Sequence, residues 1–237
     1  MRDDLEPSRC RWCDGASPDE ANAVDVWFRD ALRRPDTHPA NVASYALAYG
    51  VAPLGAAGLT ALAAVVDRRP SGALVDLLAV AEGALVAIGV TQLVEPVVLR
   101  TRPYVLAIAD EDAREAEIAK TGAFHSFPSG HVTAAFGVAA ASGVVASMRG
   151  YRLAPLVWAS GLMLGAATAY TRMASDRHYF TDTLAGAAIG VVAGGGVPLL
   201  FHRPVERDPW RASGVSGLRI MTAPVRGGQV LGVSGVF

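Results

Sequence analysis

The sequence predicts an all-α, polytopic membrane bundle of about five transmembrane helices, on three observations. Hydrophobic residues make up 51% of the 237-residue chain and charged residues only 18%. The apolar residues gather in long runs that carry few charges or none. The charges gather between those runs. A helix needs ~20 apolar residues to cross a bilayer, with ~17 as the lower limit. Mean hydropathy is a modest +0.31, because Ala, Val and Gly supply much of the apolar content. Such small side chains let helix backbones approach closely in a membrane.

Residues 1–42 read as an extramembrane segment. Its opening, Met1-Arg2-Asp3-Asp4, is too acidic and polar for a secretory signal peptide. Cys10 and Cys13 are the chain's two cysteines. No nearby His completes a zinc site, so they read as a surface disulfide or two idle thiols. Val24-Asp25-Val26-Trp27-Phe28 to Leu32 reads as an amphipathic helix in the membrane interface, its arginines against lipid headgroups.

Residues 43–201 hold the spans. They run from about Ala43 to Val66, Ser71 to Leu99, Val132 to Met148, Leu153 to Tyr170, and Thr183 to Phe201. The second contains Asp76, expected to reach water at the membrane edge, and Glu82, a costly carboxylate in mid-span. Asp67-Arg68-Arg69-Pro70, the turn with Arg149 and Arg152, and the segment after span five fall on one side. The positive-inside rule makes that side cytoplasmic. The expected location is a bacterial-type inner membrane, with the opposite, site-bearing face outside or periplasmic. In residues 202–237, Leu218–Val225 and Gln229–Phe237 are strand-like around Arg226-Gly227-Gly228, a possible hairpin. A formal net charge of −1 gives no reason to expect nucleic acid as a partner.

The connections on the outer side carry the chemistry. Arg100-Thr101-Arg102-Pro103 follows span two. Phe127-Pro128-Ser129-Gly130-His131 opens span three. Thr171-Arg172, His178 and Asp182 lie between spans four and five. A Pro-Ser-Gly helix start presents free N–H groups and a positive dipole end to an anion. Arginines offer two hydrogen bonds at once to a phosphoryl group. A carboxylate four residues after a His can fix the ring's tautomer and sharpen its free nitrogen as a nucleophile. In the long loop, Asp110 to Lys120 reads as a short solvated helix, acids first and the chain's only lysine last. It could also cover the site. His125 lies close enough to touch a substrate.

These three segments resemble the motifs of the type 2 phosphatidic acid phosphatase and vanadium haloperoxidase superfamily. The resemblance implies a metal-free phosphatase without cofactor. In it His178 attacks phosphorus and forms a phosphohistidine, Asp182 holds His178, and His131 protonates the leaving oxygen. Arg102, Ser129, Gly130 and Arg172 would bind the phosphate, with Arg100 as a further candidate. It implies lipid phosphate monoesters or isoprenoid diphosphates as substrates. Two departures stand out. Thr171 replaces the usual Ser. Glu95 occupies the place of the first motif's Lys, where it is expected to pair with Arg100 or Arg102; Arg100 or Lys120 could supply the missing cation. Pro96 is expected to interrupt the helix there. The alternatives are a non-catalytic lipid-phosphate-binding membrane protein, signalled by Glu95, and a vanadate-dependent haloperoxidase.

Overall fold

Helix α6 (Gly130–Met148) is the axis of the bundle. Of its most apolar stretch 78% is buried, against 28–33% for the other three helices long and apolar enough to cross a membrane. These are α2 (His38–Val66), α3 (Pro70–Val98) and α8 (Phe180–Phe201). The computed structural model describes residues 10–11, 17, 20–120, 122–202, 216–225 and 228–236. Within them the remaining helices are α1 (Ala23–Leu32), α4 (Pro103–Leu106), α5 (Glu111–Ile118) and α7 (Ala154–Ala174). The chain is thus a multi-pass membrane protein. The fourth expected span is α7. At 21 residues it is long enough to cross, but Trp158, Ser160, Thr168, Tyr170 and Thr171 dilute its hydropathy, and it is not among the four.

Prolines set the irregularities. Pro53 lacks the N–H that would bond Tyr49, and the turn Leu47–Val51 just before it widens to π geometry. A second π-turn, Gly190–Gly194, precedes Pro198 in α8. Pro96 does not break α3, which runs on to Val98 and ends at Leu99 in the left-handed conformation, φ 50°.

Small residues let α8 lie directly on α6. A Cβ at Gly186 would stand 2.6 Å from the Ser129 carbonyl oxygen, at Gly190 2.7 Å from that of Thr133, and at Gly194 2.5 Å from that of Gly137. Three glycines one turn apart therefore read three carbonyls one turn apart, and this fixes the start of α8 against the start of α6. We expect Gly190→Leu to cost at least ~1–3 kcal/mol through overpacking, seen as a lowered unfolding midpoint in detergent. A midpoint equal to that of the unaltered protein would contradict this contact.

The end of the bundle remote from α1 is stapled by polar contacts. Asp67 accepts from the Arg152 backbone N–H and Nε, and Arg69 donates to the Arg149 carbonyl. Asp76 does not reach water as expected. It is fully buried, where Arg149 and the Tyr151 hydroxyl both donate to it. Glu82 meets the His202 ring at 2.7 Å.

Helix α1 is capped by Asn22, whose side chain accepts from the Asp25 N–H. Of the arginines expected against lipid headgroups, Arg29 is turned into the protein, while Arg33 and Arg34 stay exposed. Arg29 donates twice to Asp176, Arg33 pairs with the same carboxylate, and Arg34 donates to the Tyr170 hydroxyl. Phe28 stacks on Phe180 at 3.9 Å. Cys10 is disulfide-bonded; Cys13 lies outside the described residues.

Residues 203–237 form a separate compact unit. In it β1 (Ser216–Val225) pairs antiparallel with β2 (Gly228–Val236), with Val225 opposite Gly228. The turn residues Arg226 and Gly227 lie outside the described residues.

Candidate active site

Backbone hydrogen bonds knit the three motif segments together. Arg102 N–H donates to the Ala123 carbonyl and Ser126 N–H to that of Arg100, which lays the first segment beside the approach to the second. Tyr104 N–H donates to the Asp176 carbonyl, tying the first segment to the third. Ser129 N–H donates to the Asp182 carbonyl, tying the second to the third.

His178 lies two residues before α8 and is buried, 3% exposed. Its Nδ1 is 2.6 Å from the Ser126 carbonyl oxygen. That acceptor requires the proton on Nδ1 and leaves Nε2 unprotonated, an acceptor. Nε2 faces Arg102 Nη1 at 3.3 Å. The expected direct bond from Asp182 to this ring is corrected. The carboxylate stands 4.0 Å from Nδ1 and accepts instead from the Ser126 hydroxyl at 2.6 Å and from Tyr179 N–H at 2.8 Å. Ser126 therefore links the pair, its hydroxyl on Asp182 and its carbonyl on His178. The second of those bonds to Asp182 caps α8, which begins at Phe180, so His178 precedes the helix and does not share its face with Asp182.

Arg102 is anchored by donation from Nε to the Gly122 carbonyl and from Nη1 to that of Arg177. Arg172, in the last turn of α7, is 2% exposed. Its Nη1 donates to Asn41 Oδ1 at 3.1 Å and Ser44 Oγ at 3.0 Å on α2. His131 presents its ring to Tyr45 and Tyr49 of α2 at 4.4 and 4.8 Å. Among the described residues, Ser129 Oγ, His131 Nε2 and Arg172 Nε at the site, and Thr60 Oγ1 within α2, are buried with no hydrogen-bond partner in the protein. Buried polar atoms are seldom left so, because each forfeits its hydration.

Burial, reinforced by the charges of Arg172 and Arg102, holds the His178 pKa well below 6.5. A neutral imidazole is the nucleophilic form. The acid limb of kcat/KM, which reports the free protein, should therefore lie below pH 6.5, with activity lost as pH falls through the lowered pKa. An acid limb centred at or above 6.5 would contradict this assignment.

Other candidates sit elsewhere. Arg100, a further phosphate candidate, is committed to other partners. Its guanidinium is taken up by Asp182 at 2.6 Å, Asp25 at 2.8 Å and the Thr181 hydroxyl at 2.8 Å. Lys120 is also corrected as a substitute cation, since it is exposed and paired with Glu117. Helix α5 forms as expected, with Asp110 as its cap. Glu95 makes no ion pair at contact distance with either arginine, though its charge reaches Arg102. It lies 4.0 Å from the His125 ring, and a Cβ on Gly130 would be 3.7 Å from its Oε1. A carboxylate therefore borders the second motif where the family's lysine would stand.

Asp25, Ser126, Thr181, Asn41 and Ser44 belong to this arrangement but were not singled out from sequence. Asn41 and Ser44, three apart at the start of α2, carried a faint signal as two polar residues on one helix face.

Residues 76–205, more than half of the chain, match the PAP2 superfamily. No curated protein and no solved structure matches. The match spans all three motif segments together with α6, α7 and α8. The chain belongs to the PAP2 superfamily, a helical membrane fold of phosphatase-type activity on phosphate esters.

Proposed function

We propose that the protein is a membrane phosphatase that hydrolyses lipid phosphate monoesters or isoprenoid diphosphates through a phosphohistidine on His178. One observation carries this reading. The buried polar atoms without a protein partner at Ser129, His131 and Arg172 all belong to the predicted phosphate-handling set. Arg102, of the same set, donates to the unprotonated nitrogen of His178. Donors left unsatisfied beside a nucleophile suit a bound phosphoryl group.

In the proposed reaction, His178 Nε2 forms a bond to phosphorus as the bond to the leaving oxygen breaks. His131 gives its proton to that oxygen. Water then attacks the phosphohistidine, returns a proton to His131 and releases phosphate. Arg102 and Arg172 balance the charge on the equatorial oxygens. Asp182 acts through Ser126 and through Arg100.

Tyr45 and Tyr49 favour a lipid substrate. Each is about half exposed, 54% and 52%, and Val42, one turn before Tyr45, is exposed as well. An aromatic and apolar wall thus runs from the bilayer-facing surface to His131. Arg68, Arg69, Arg149 and Arg152 mark the other end of the bundle as cytoplasmic by the positive-inside rule. The site would then face the outside of a bacterial-type inner membrane.

The test is a panel of phosphatidate, phosphatidylglycerophosphate and an isoprenoid diphosphate in detergent, read by released phosphate and by alkali-stable phosphoenzyme. Turnover with phosphoenzyme on at least one is expected. Lipid binding without either would favour the non-catalytic reading that Glu95 suggests.

A further inference from the structure

The N-terminal segment, which precedes the matched residues 76–205, touches both the first and the third motif. Arg11 N–H donates to the Leu99 carbonyl beside Arg100. Arg29 of α1 and Arg33, which follows the helix, hold Asp176, which stands two residues before His178 at φ 56°. A non-glycine residue persists there only when its surroundings fix it. Asp25 lies deepest, 0% exposed. Its Oδ1 accepts from Thr181 N–H at 2.8 Å, and its Oδ2 accepts from the Thr181 hydroxyl at 2.7 Å and from Arg100 Nη2 at 2.8 Å. Arg100 Nη1 bonds Asp182 at 2.6 Å. The guanidinium also lies 4.2 Å over the Tyr179 ring. One arginine is thus shared by two buried carboxylates, one from α1 and one from the His178 loop.

We infer that Asp25 is a positioning residue for phosphoryl transfer, holding Arg100 on Asp182 and Thr181 at the start of α8 so that the His178 loop keeps its attacking geometry; this rests on the hydrolase reading above. Held in this way, Arg100 takes Asp182 Oδ1 and leaves Oδ2 for the Ser126 hydroxyl. Asp182, which this pairing holds 4.0 Å from Nδ1, is then the carboxylate beside an imidazole that turns cationic when Nε2 bonds phosphorus. The asparagine variant keeps one acceptor, for the Thr181 N–H, but replaces the oxygen that accepts from Arg100, Asn22 and the Thr181 hydroxyl with an NH2 donor, so it removes the charge and the Arg100 bond together.

The experiment uses the full chain in detergent, with a short-chain phosphatidate as substrate and orthovanadate as a phosphate-like probe that counts intact sites by titration calorimetry. In Asp25→Asn, kcat per vanadate-binding site should fall about a hundredfold, the loss typical of a small misplacement of reacting groups. KM and vanadate affinity should change little. Asp25→Glu, which keeps the charge, should recover most of the loss. An unchanged kcat per vanadate site in Asp25→Asn would overturn the inference, as would loss of the vanadate sites themselves in both variants, since Asp25 would then serve folding alone. Vanadate binding without turnover in the unaltered protein would instead remove the hydrolase reading, and this inference with it.

Discussion

His178→Ala is expected to reduce phosphate release by roughly 10⁴-fold or more while leaving phosphate binding nearly intact. The size of the loss follows from covalent catalysis. Without the imidazole there is no nucleophile to divide the reaction into two easier steps, and only the binding contribution of the cradle survives. Retained binding follows from the geometry. Arg102 is held by the carbonyls of Gly122 and Arg177, and Arg172 by Asn41 and Ser44, and none of these bonds passes through His178. The ring is buried and bonded to the Ser126 carbonyl, so its removal also leaves a small cavity. A modest loss of stability, ~1–3 kcal/mol, is expected from that. Product inhibition by inorganic phosphate separates the two effects. It should persist in the variant with an inhibition constant within about tenfold of the original, one decade being ~1.4 kcal/mol. Turnover in His178→Ala close to that of the unaltered protein would remove the phosphohistidine mechanism altogether.

What could be read from the sequence was what depends on short stretches of chain. The spans show as local apolar runs, so their existence and order followed without any tertiary knowledge. The motif residues sit in polar loops between such runs, where Pro128-Ser129-Gly130 and the Arg172, His178 and Asp182 spacing stand out from their surroundings. What could not be read depends on which side chains meet across the fold. Asp25 is one acid among nine in the first 42 residues, and only packing of α1 on the His178 loop distinguishes it. Arg100 and Arg102 are two residues apart and alike in chemistry. Arg102 reaches His178, while Arg100 turns to the two carboxylates, and no local rule separates them. Ser126 enters the site through a carbonyl as well as a hydroxyl, and a carbonyl leaves no mark in a sequence. Asp76 looked solvent-reaching because it lies near a span's end, yet Arg149 and Tyr151 fold over it. The glycines of α8 were visible as composition, but their register against the carbonyls of α6 was not.

Arg172→Ala is expected to lower kcat/KM by about 10²–10³-fold, the range for removing one preorganised donor at a site of developing charge, and to move the acid limb of the pH profile upward. Both effects come from where the guanidinium lies. It is buried, two of its bonds fix it to α2, and its Nε has no protein partner. A phosphoryl oxygen would supply that partner, and alanine removes the donor outright. The shift in pH dependence has a definite sign. The charge of Arg172 is, after burial, the largest influence that holds His178 below its ordinary pKa. Without that charge the protonated ring becomes less unfavourable, its pKa rises toward 6.5, and activity begins to fall at a higher pH. Arg172→Lys should restore the charge, and with it part of the pH profile, but little of the rate. A lysine ammonium is a point donor and cannot both hold Asn41 and Ser44 and reach the phosphate. The two variants therefore separate charge from geometry, since one reads in the position of the acid limb and the other in the rate at its plateau. An Arg172→Ala protein that turns over within tenfold of the original, with its acid limb unmoved, would place this arginine outside the reaction and leave Arg102 as the phosphate's main cation.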